Sequence, residues 1–486
     1  MTYSRFCVMD GPMLEFGTIA NGTQASGDQW LDVTSPYDGR VVGRVAMIGA
    51  ERGAQILEET YSTRVELTRR QRADVLEPMA DAINERRSEV SQLITDEAGL
   101  CVKDSMYEAG RVGDVLRFSA ARALEDDSEV FPCDITPHGR ARRIYTMREP
   151  LRLVSAITPF NHPMNQVVHK VAPAIAVGTP VVLKPSEKTP LSAYWLGQLA
   201  LDCGLPANAL NVINGPLAEI APLLVQHERV EMVTFTGSSA IGRQIAEQAG
   251  YKRLILELGG SSPLLVLEDA DVEAAVEIAM AGIFKNSGQR CTAIRRLVVH
   301  RSLADRFAES LAAATAQLTC GDPYDEATDM GTVIDEDAAR LLESRVSGAV
   351  KAGARVLTGN RREGALYWPT VVDQVENDYD LVRSESFGPI ASILRFDDLS
   401  EALAIANDTE YGLSSGVVSQ HWPSIQACIS GIEAGTVNVN EAPSYRLEWT
   451  PFGGIKASGL GYKEGVIETM KAMTYVKTYS LPWDRP

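Results

Sequence analysis

From residue 151 onward, short apolar runs alternate with amphipathic stretches of about ten to fifteen residues. Residues 151–157 (LRLVSAI) predict a strand, and 165–178 (NQVVHKVAPAIAVG) a helix closed by glycine. The rhythm repeats with strands at 180–184, 211–214, 231–237 and 252–260 and helices at 190–204, 217–227 and 239–250. Uninterrupted apolar strands are buried on both faces, so these βαβ units predict a parallel sheet covered by helices. A second alternating region spans about 262–430. Before both, residues 60–124 carry a helical pattern rich in Arg, Glu and Ala. Residues 129–150 (EVFPCDITPHGRARRIYTMREP) are punctuated by Pro and Gly and predict a hairpin. A short strand, MTYVKTYSL, lies near the C-terminus. The expected fold class is α/β: two α/β domains with an extension built from hairpin and tail.

Length agrees, since 486 residues exceed what one hydrophobic core organises. Hydrophobic residues are 45% and charged residues 23%, ordinary for a globular protein. The formal net charge of −18 repels phosphate over long range. Nucleic acid and anionic membrane surfaces are therefore excluded as partners, while a small cationic pocket is not. Seven cysteines (Cys7, Cys101, Cys133, Cys203, Cys291, Cys320, Cys428) are scattered, and no CxxC or Cys/His cluster appears. A disulfide framework and a structural metal site are not expected, and a reducing, cytoplasmic location is. Residues 1–16 make a poor signal peptide, and no apolar run is long enough for a membrane span.

The candidate chemistry sits where predicted strands end. TFTGSSAIGR puts Gly237 and Ser238 between a strand and a helix, a place for phosphate or a plain turn. LKPSEKTP puts Lys184, Ser186 and Glu187 after a buried strand, either a ribose site or a solvated loop. Glu257 ends the strand before Gly259 and Gly260, as a salt-bridged acid or a general base with raised pKa. TPFNHPMNQ gives Thr158, Pro159, Asn161 and His162, and Asn161 is either a helix cap or an oxyanion donor. In NSGQRCTAIRR, Cys291 follows Arg290, whose charge is expected to lower the thiol pKa. Each feature alone has an unremarkable structural reading.

Their order carries more. Asn161, Lys184, Glu187, the Gly237 turn, Glu257 and Cys291 follow one another as in the aldehyde dehydrogenase superfamily, which the chain resembles from about 20 to 480. ESFGP (385–389), GTVNVN (435–440) and PFGGIKASGLG (451–461) extend the resemblance. Departures are Ser261 after ELGG and Phe160 in PFN, neither a reacting group. The resemblance implies a Rossmann-like NAD-binding domain (1–128 and 151–257, with 435–465 returning to it). It implies a catalytic domain (258–434) and an oligomerisation extension (129–150 and 466–486). Cys291 would form a thiohemiacetal, Asn161 would hold the oxyanion, and Glu257 would activate water against the thioester. Lys184, Ser186 and Glu187 would hold the adenosine ribose, Thr158 and Pro159 would line the cofactor site, and Gly237 and Ser238 would take the pyrophosphate. Glu385 and Phe387 would hold the nicotinamide side. Glu187 favours NAD over NADP, and a homodimer or homotetramer is implied.

GQRCT marks a subgroup that includes lactaldehyde, non-phosphorylating glyceraldehyde-3-phosphate and phosphonoacetaldehyde dehydrogenases. Arg111, His162, Arg290 and Arg446 match positions that meet a substrate's anionic group there. Arginine's planar fork suits such oxygens. The expected substrate is a small anionic aldehyde, phosphonoacetaldehyde or phosphonoformaldehyde. The alternatives are lactaldehyde, glyceraldehyde 3-phosphate or a semialdehyde. A catalytically silent binding protein on the same fold stands further off, because nucleophile, base and oxyanion donor are all present.

Overall fold

The computed structural model describes residues 13–27 and 29–483. Cys7 and most of the N-terminal stretch read as a poor signal peptide lie outside the described residues.

The first sheet has seven strands in the order Arg253–Glu257, Met232–Thr236, Val154–Ile157, Val181–Lys184, Leu210–Val212, Thr18–Ala20, Thr23–Ala25. The first five are parallel, and the last two add antiparallel at one edge. Within the five parallel strands the chain enters at the middle one, Val154–Ile157, and steps outward through Val181–Lys184 and Leu210–Val212. It then crosses to the other side through Met232–Thr236 and Arg253–Glu257. The reversal opens a crevice at the carboxyl ends of Val154–Ile157 and Met232–Thr236, where sheets of this kind bind ligands.

Helices Arg69–Glu85, Arg87–Ala98 and Val102–Ala123 resolve the helical region into separate elements. Arg69–Glu85 opens with a capping box between Thr68 and Gln71. Leu76, Ile83, Val112 and Leu116 join Val154, Val168 and Leu183 in one apolar core. Helix Asn165–Val177 is buried on nearly every side and stops at Gly178 (φ 81°), where a side chain would strain the backbone.

The second sheet has the order Arg355–Thr358, Thr370–Asp373, Ile390–Phe396, Ile294–His300, Ser262–Val266, Ser414–Val418, Thr436–Val439. All but its first strand run parallel. This corrects the expectation that 435–465 returns to the first domain. Thr436–Val439 completes the open edge left by Ser414–Val418, and Ile455–Lys456 pairs with Tyr411–Gly412. An alternating pattern names a strand but not its neighbour. The first domain is touched there by individual bonds, such as Leu258 N–H to the Ser458 carbonyl (3.0 Å).

The extension is also shorter than expected. Helix Val466–Ala472 packs on Asn165–Val177, and Val466, Met470 and Met473 belong to the first core. Only Thr474–Pro482 pairs with Arg142–Pro150, which pairs in turn with Val130–Pro132. Ile144, Met147, Val476, Tyr479 and Leu481 of this small sheet are exposed.

Arg296 shows how the second domain is closed. It is fully buried, and its guanidinium donates to the carbonyls of Ser261 (2.8 Å), Ile405 (2.7 Å) and Ala406 (3.0 Å). The last two are open carbonyls at the end of helix Leu399–Asn407. Arg296→Ala is expected to cost about 3 kcal/mol by stranding those acceptors. The urea midpoint should fall with an unchanged m-value.

Candidate active site

At the crevice between Val154–Ile157 and Met232–Thr236 lies a cavity of about 240 Å³. Pro159, Phe160 and Asn161 enter it from the loop after the first of these strands. Thr236, Gly237 and Ser238 follow the second, and Glu257, Leu258 and Gly259 follow the edge strand. Cys291, Glu385 and Phe387 close it from the second domain. The cavity thus brings together eight residues singled out in the sequence: Pro159, Asn161, Gly237, Ser238, Glu257, Cys291, Glu385 and Phe387. Gln166, Thr236 and Leu258 line it without having been marked, because nothing distinguishes them from ordinary core side chains.

Cys291 is positioned by backbone. Asn286, Ser287 and Gly288 take φ of 62°, 51° and 67°, a left-handed run that turns the chain sharply before the thiol. At Gly260 a Cβ would lie 2.2 Å from the Cys291 carbonyl oxygen, so the second glycine of ELGG admits the loop. Buried Arg295, unmarked in the sequence, ties the loop to the ESFGP segment by donating to the Gly288 and Gly388 carbonyls. The sequence expectation for the thiol holds for the direction in which Arg290 acts but not for the net result. Burial pushes the Cys291 pKa up to about 12, Arg446 and Arg290 oppose this only in part, and Glu385 and Glu257 add to it. Arg290 turns instead to the carbonyls of Ala281 and Gly282, at 2.9 Å each.

Asn161 does not cap the following helix. That helix begins at Asn165, and the Met164 and Asn165 N–H groups donate to the Glu108 carboxylate at 3.0 and 2.9 Å. The Asn161 amide donates to the Gln289 carbonyl at 2.8 Å. An amide nitrogen carries two protons, so one remains for a ligand. The Asn161 carbonyl accepts from the Asn286 amide at 2.7 Å, which locks it to the cysteine loop.

Both carboxylate oxygens of Glu257 are buried with no hydrogen-bond partner among the described residues. Burial first, and then the nearby Glu464 carboxylate, push its pKa well above the ordinary carboxylate range. Glu464 itself is held down, against burial, by Lys170 at 2.6 Å. A carboxyl group so placed holds a proton more tightly than an ordinary carboxylate does, which suits a general base.

Thr158, Lys184, Ser186 and Glu187 do not line this cavity. Lys184 and Glu187 face each other at 3.4 Å beyond the strand Val181–Lys184, with Glu187 partly exposed. Burial lowers the Lys184 pKa. Ser186 accepts from Lys188 N–H at 3.2 Å. Ser238 is the N-cap of helix Ser239–Gln248 and accepts from Ile241 N–H at 3.4 Å.

A dinucleotide fits this arrangement. The hydroxyls of Thr158 and Thr236 are buried without partners at the ends of the two strands flanking the crevice, and helix Ser239–Gln248 begins there with open N–H groups. Among the described residues no group of three His, Cys, Asp or Glu could hold a metal ion. No helix there is long and apolar enough to cross a membrane.

None of the four expected anion-binding residues lines this cavity, although Arg446 and Arg290 stand close enough to the thiol to act on its charge. Arg111 Nε donates to Glu448 Oε1. Arg446 lies 3.6 Å from Glu448 Oε2 and stacks over the Phe452 ring at 4.1 Å. His169 Nε2 meets the same carboxylate at 2.5 Å. His162 Nδ1 lies 3.2 Å from Glu108. Glu448 and Glu108 are buried acids that the sequence reading did not mark. Glu448 stands two residues after Arg446, and only the fold shows that it holds three basic groups. Burial raises its pKa, but His169, Arg446 and Arg111 together hold it well below the usual range.

Comparison with known proteins agrees with this geometry. Residues 23–479 match the model of the aldehyde dehydrogenase family. Aspartate-semialdehyde dehydrogenase 1 of Pseudomonas canavaninivorans is 37% identical over 454 residues, covering 93% of this chain and 96% of its own. The 3-sulfolactaldehyde dehydrogenase of Priestia megaterium is 34% identical over 95% of this chain and 96% of its own. Among solved structures, aldehyde dehydrogenase 21 of Physcomitrella patens, in complex with succinate, superposes with a TM-score of 0.93. It is 32% identical, covering 97% of this chain and 99% of its own.

Proposed function

This chain belongs to the aldehyde dehydrogenase family, and we propose that it oxidises a short aldehyde bearing an anionic group to the carboxylate, with NAD as acceptor. The observation that carries the reading is the single cavity lined by Asn161, Glu257 and Cys291, with three arginines close to the thiol or to one another.

Cys291 Sγ adds to the aldehyde carbon as its proton leaves to solvent. The remaining Asn161 amide proton holds the oxygen that becomes negative, which is worth about 3 kcal/mol in such sites. A nicotinamide dinucleotide, when bound at the crevice, would supply the acceptor for the hydride that leaves the aldehyde carbon. The acyl group stays on Sγ as a thioester. Glu257, as carboxylate, takes a proton from water as the water oxygen bonds to the acyl carbon, and the acid leaves as Sγ regains a proton. Glu187 beside Lys184 would accept from the ribose hydroxyls and repel a 2′-phosphate, which supports NAD over NADP. The apolar side chains of the small sheet support assembly as a homodimer or homotetramer.

Arg111, Arg290 and Arg446 support an anionic substrate. Phosphonoacetaldehyde and phosphonoformaldehyde belong to this class, beside the sulfonated and carboxylated aldehydes for which relatives are named. The test is initial-rate reduction of NAD and of NADP with these two, sulfoacetaldehyde, succinic semialdehyde, lactaldehyde, glyceraldehyde 3-phosphate and propanal. We expect at least one anionic aldehyde to exceed propanal tenfold or more in kcat/KM, about 1.4 kcal/mol, and Arg446→Ala to erode that advantage. Propanal or lactaldehyde equal to every anion would remove the anionic reading.

A further inference from the structure

We propose that Glu448 limits the charge this site accepts on the far end of the substrate to a single negative unit, favouring a sulfonate or carboxylate over a phosphonate dianion. The inference rests on the reading that an anionic aldehyde is the substrate, and it narrows that class.

Two of the cations that would meet the anion share one carboxylate. Arg111, on helix Val102–Ala123, and Arg446, on the loop before Phe452, both reach Glu448. His169, on helix Asn165–Val177, is the third contact, and its burial holds it toward the neutral form. Beyond these stand Glu108, whose charge acts on Arg111, and Glu464, whose charge acts on His169. Two guanidinium charges against one carboxylate leave one positive unit. Arg290 adds little, because its guanidinium is turned to the carbonyls of Ala281 and Gly282, the negative end of helix Val272–Ile283. Asp104 also opposes its charge.

Donors, by contrast, are plentiful. Both terminal nitrogens of Arg111, and Nε and Nη1 of Arg446, make no hydrogen bond among the described residues and are not sealed from solvent. Many open N–H groups with one net charge suit a weakly charged group with several acceptor oxygens. A dianion would bring an unmatched charge into a partly desolvated site, at a cost that binding has to absorb.

The experiment compares sulfoacetaldehyde, phosphonoacetaldehyde and propanal on the full chain with NAD, at pH 8 and pH 5.5. A phosphoryl-type group loses its second charge below about pH 6, so the wild type tests the idea without mutation. We expect sulfoacetaldehyde to lead phosphonoacetaldehyde at least tenfold in kcat/KM at pH 8, and the lead to shrink at least threefold at pH 5.5. Effects of pH on the groups that carry the chemistry, Cys291 and Glu257, act on both substrates alike and cancel in the ratio. Glu448→Gln should shrink the lead already at pH 8. A lead that is absent at pH 8, or unchanged between the two pH values, overturns the proposal. So does a folded Glu448→Gln variant with the wild-type ratio, and if that variant does not fold the wild-type comparison decides. Propanal matching both anions would instead defeat the underlying anionic reading.

Discussion

Cys291→Ala is expected to abolish aldehyde-dependent NADH formation, with a loss of at least about 10⁴-fold in kcat. No other described cysteine lines the cavity, so nothing replaces the nucleophile. The substitution removes one sulfur atom from the cavity wall, and the left-handed turn and Arg295 ties that shape the loop are untouched. Cofactor binding, followed by protein fluorescence, should therefore persist, which separates loss of chemistry from loss of fold. Because burial pushes the thiol up to about 12, the free enzyme holds it protonated at neutral pH. Iodoacetamide should label Cys291 more slowly at pH 7.5 than it labels an unperturbed thiol, and labelling should climb steadily toward pH 10. Rapid labelling at pH 7.5 in the absence of cofactor would show that the arginines win over burial. Residual turnover in the alanine variant would defeat the covalent mechanism.

Glu257→Gln is expected to lower steady-state turnover by about 10²- to 10⁴-fold while leaving a burst of NADH close to one per site. Glutamine keeps the shape but cannot take a proton from water, so the acyl group stays on sulfur. Trapped acyl-enzyme should appear by intact-mass measurement. The pH dependence follows in sign. The carboxyl pKa is raised, and the base is active when ionised, so wild-type deacylation should rise with pH through that raised value and then level. In the variant it should be flat. The same group sets a stability trend. The folded state holds this proton more tightly than the unfolded chain, whose carboxyl titrates near 4.5, so ionisation weakens the fold progressively above that pH up to the raised value. Glu257→Gln should melt higher than wild type at pH 8, and the gain should vanish toward pH 4. A burstless variant, or an unchanged pH profile, would assign the base elsewhere.

The residues that meet in the cavity were legible because reacting groups stand at strand ends. In a parallel sheet all carboxyl ends share one edge, so Asn161, Gly237 and Glu257, separated widely in sequence, converge once the strands are recognised. The strand reading was reliable where apolar runs were uninterrupted, as in Val181–Lys184 and Met232–Thr236. It failed for partners: Thr436–Val439 was assigned to the wrong domain, and Val466–Ala472 to the extension. A strand pattern specifies which faces are apolar but not which edge it completes.

Electrostatics was less legible still. The reading that Arg290 activates Cys291 used adjacency along the chain, whereas the fold sends that guanidinium toward a helix end and buries the thiol. Glu448 gave no signal, because an acid in a polar loop is commonplace until Arg111 and His169 arrive from two distant helices.

What the sequence by itself determined is the order of strands and helices, the family, and the set of groups able to react. Hydrophobic periodicity and chemically rare residues are local properties, readable without coordinates. Only the tertiary structure decided which strand closes each sheet, how hard each buried group holds its proton, and which charges are already spent on one another. Those depend on burial and on distances between segments far apart in the chain, which no local pattern encodes.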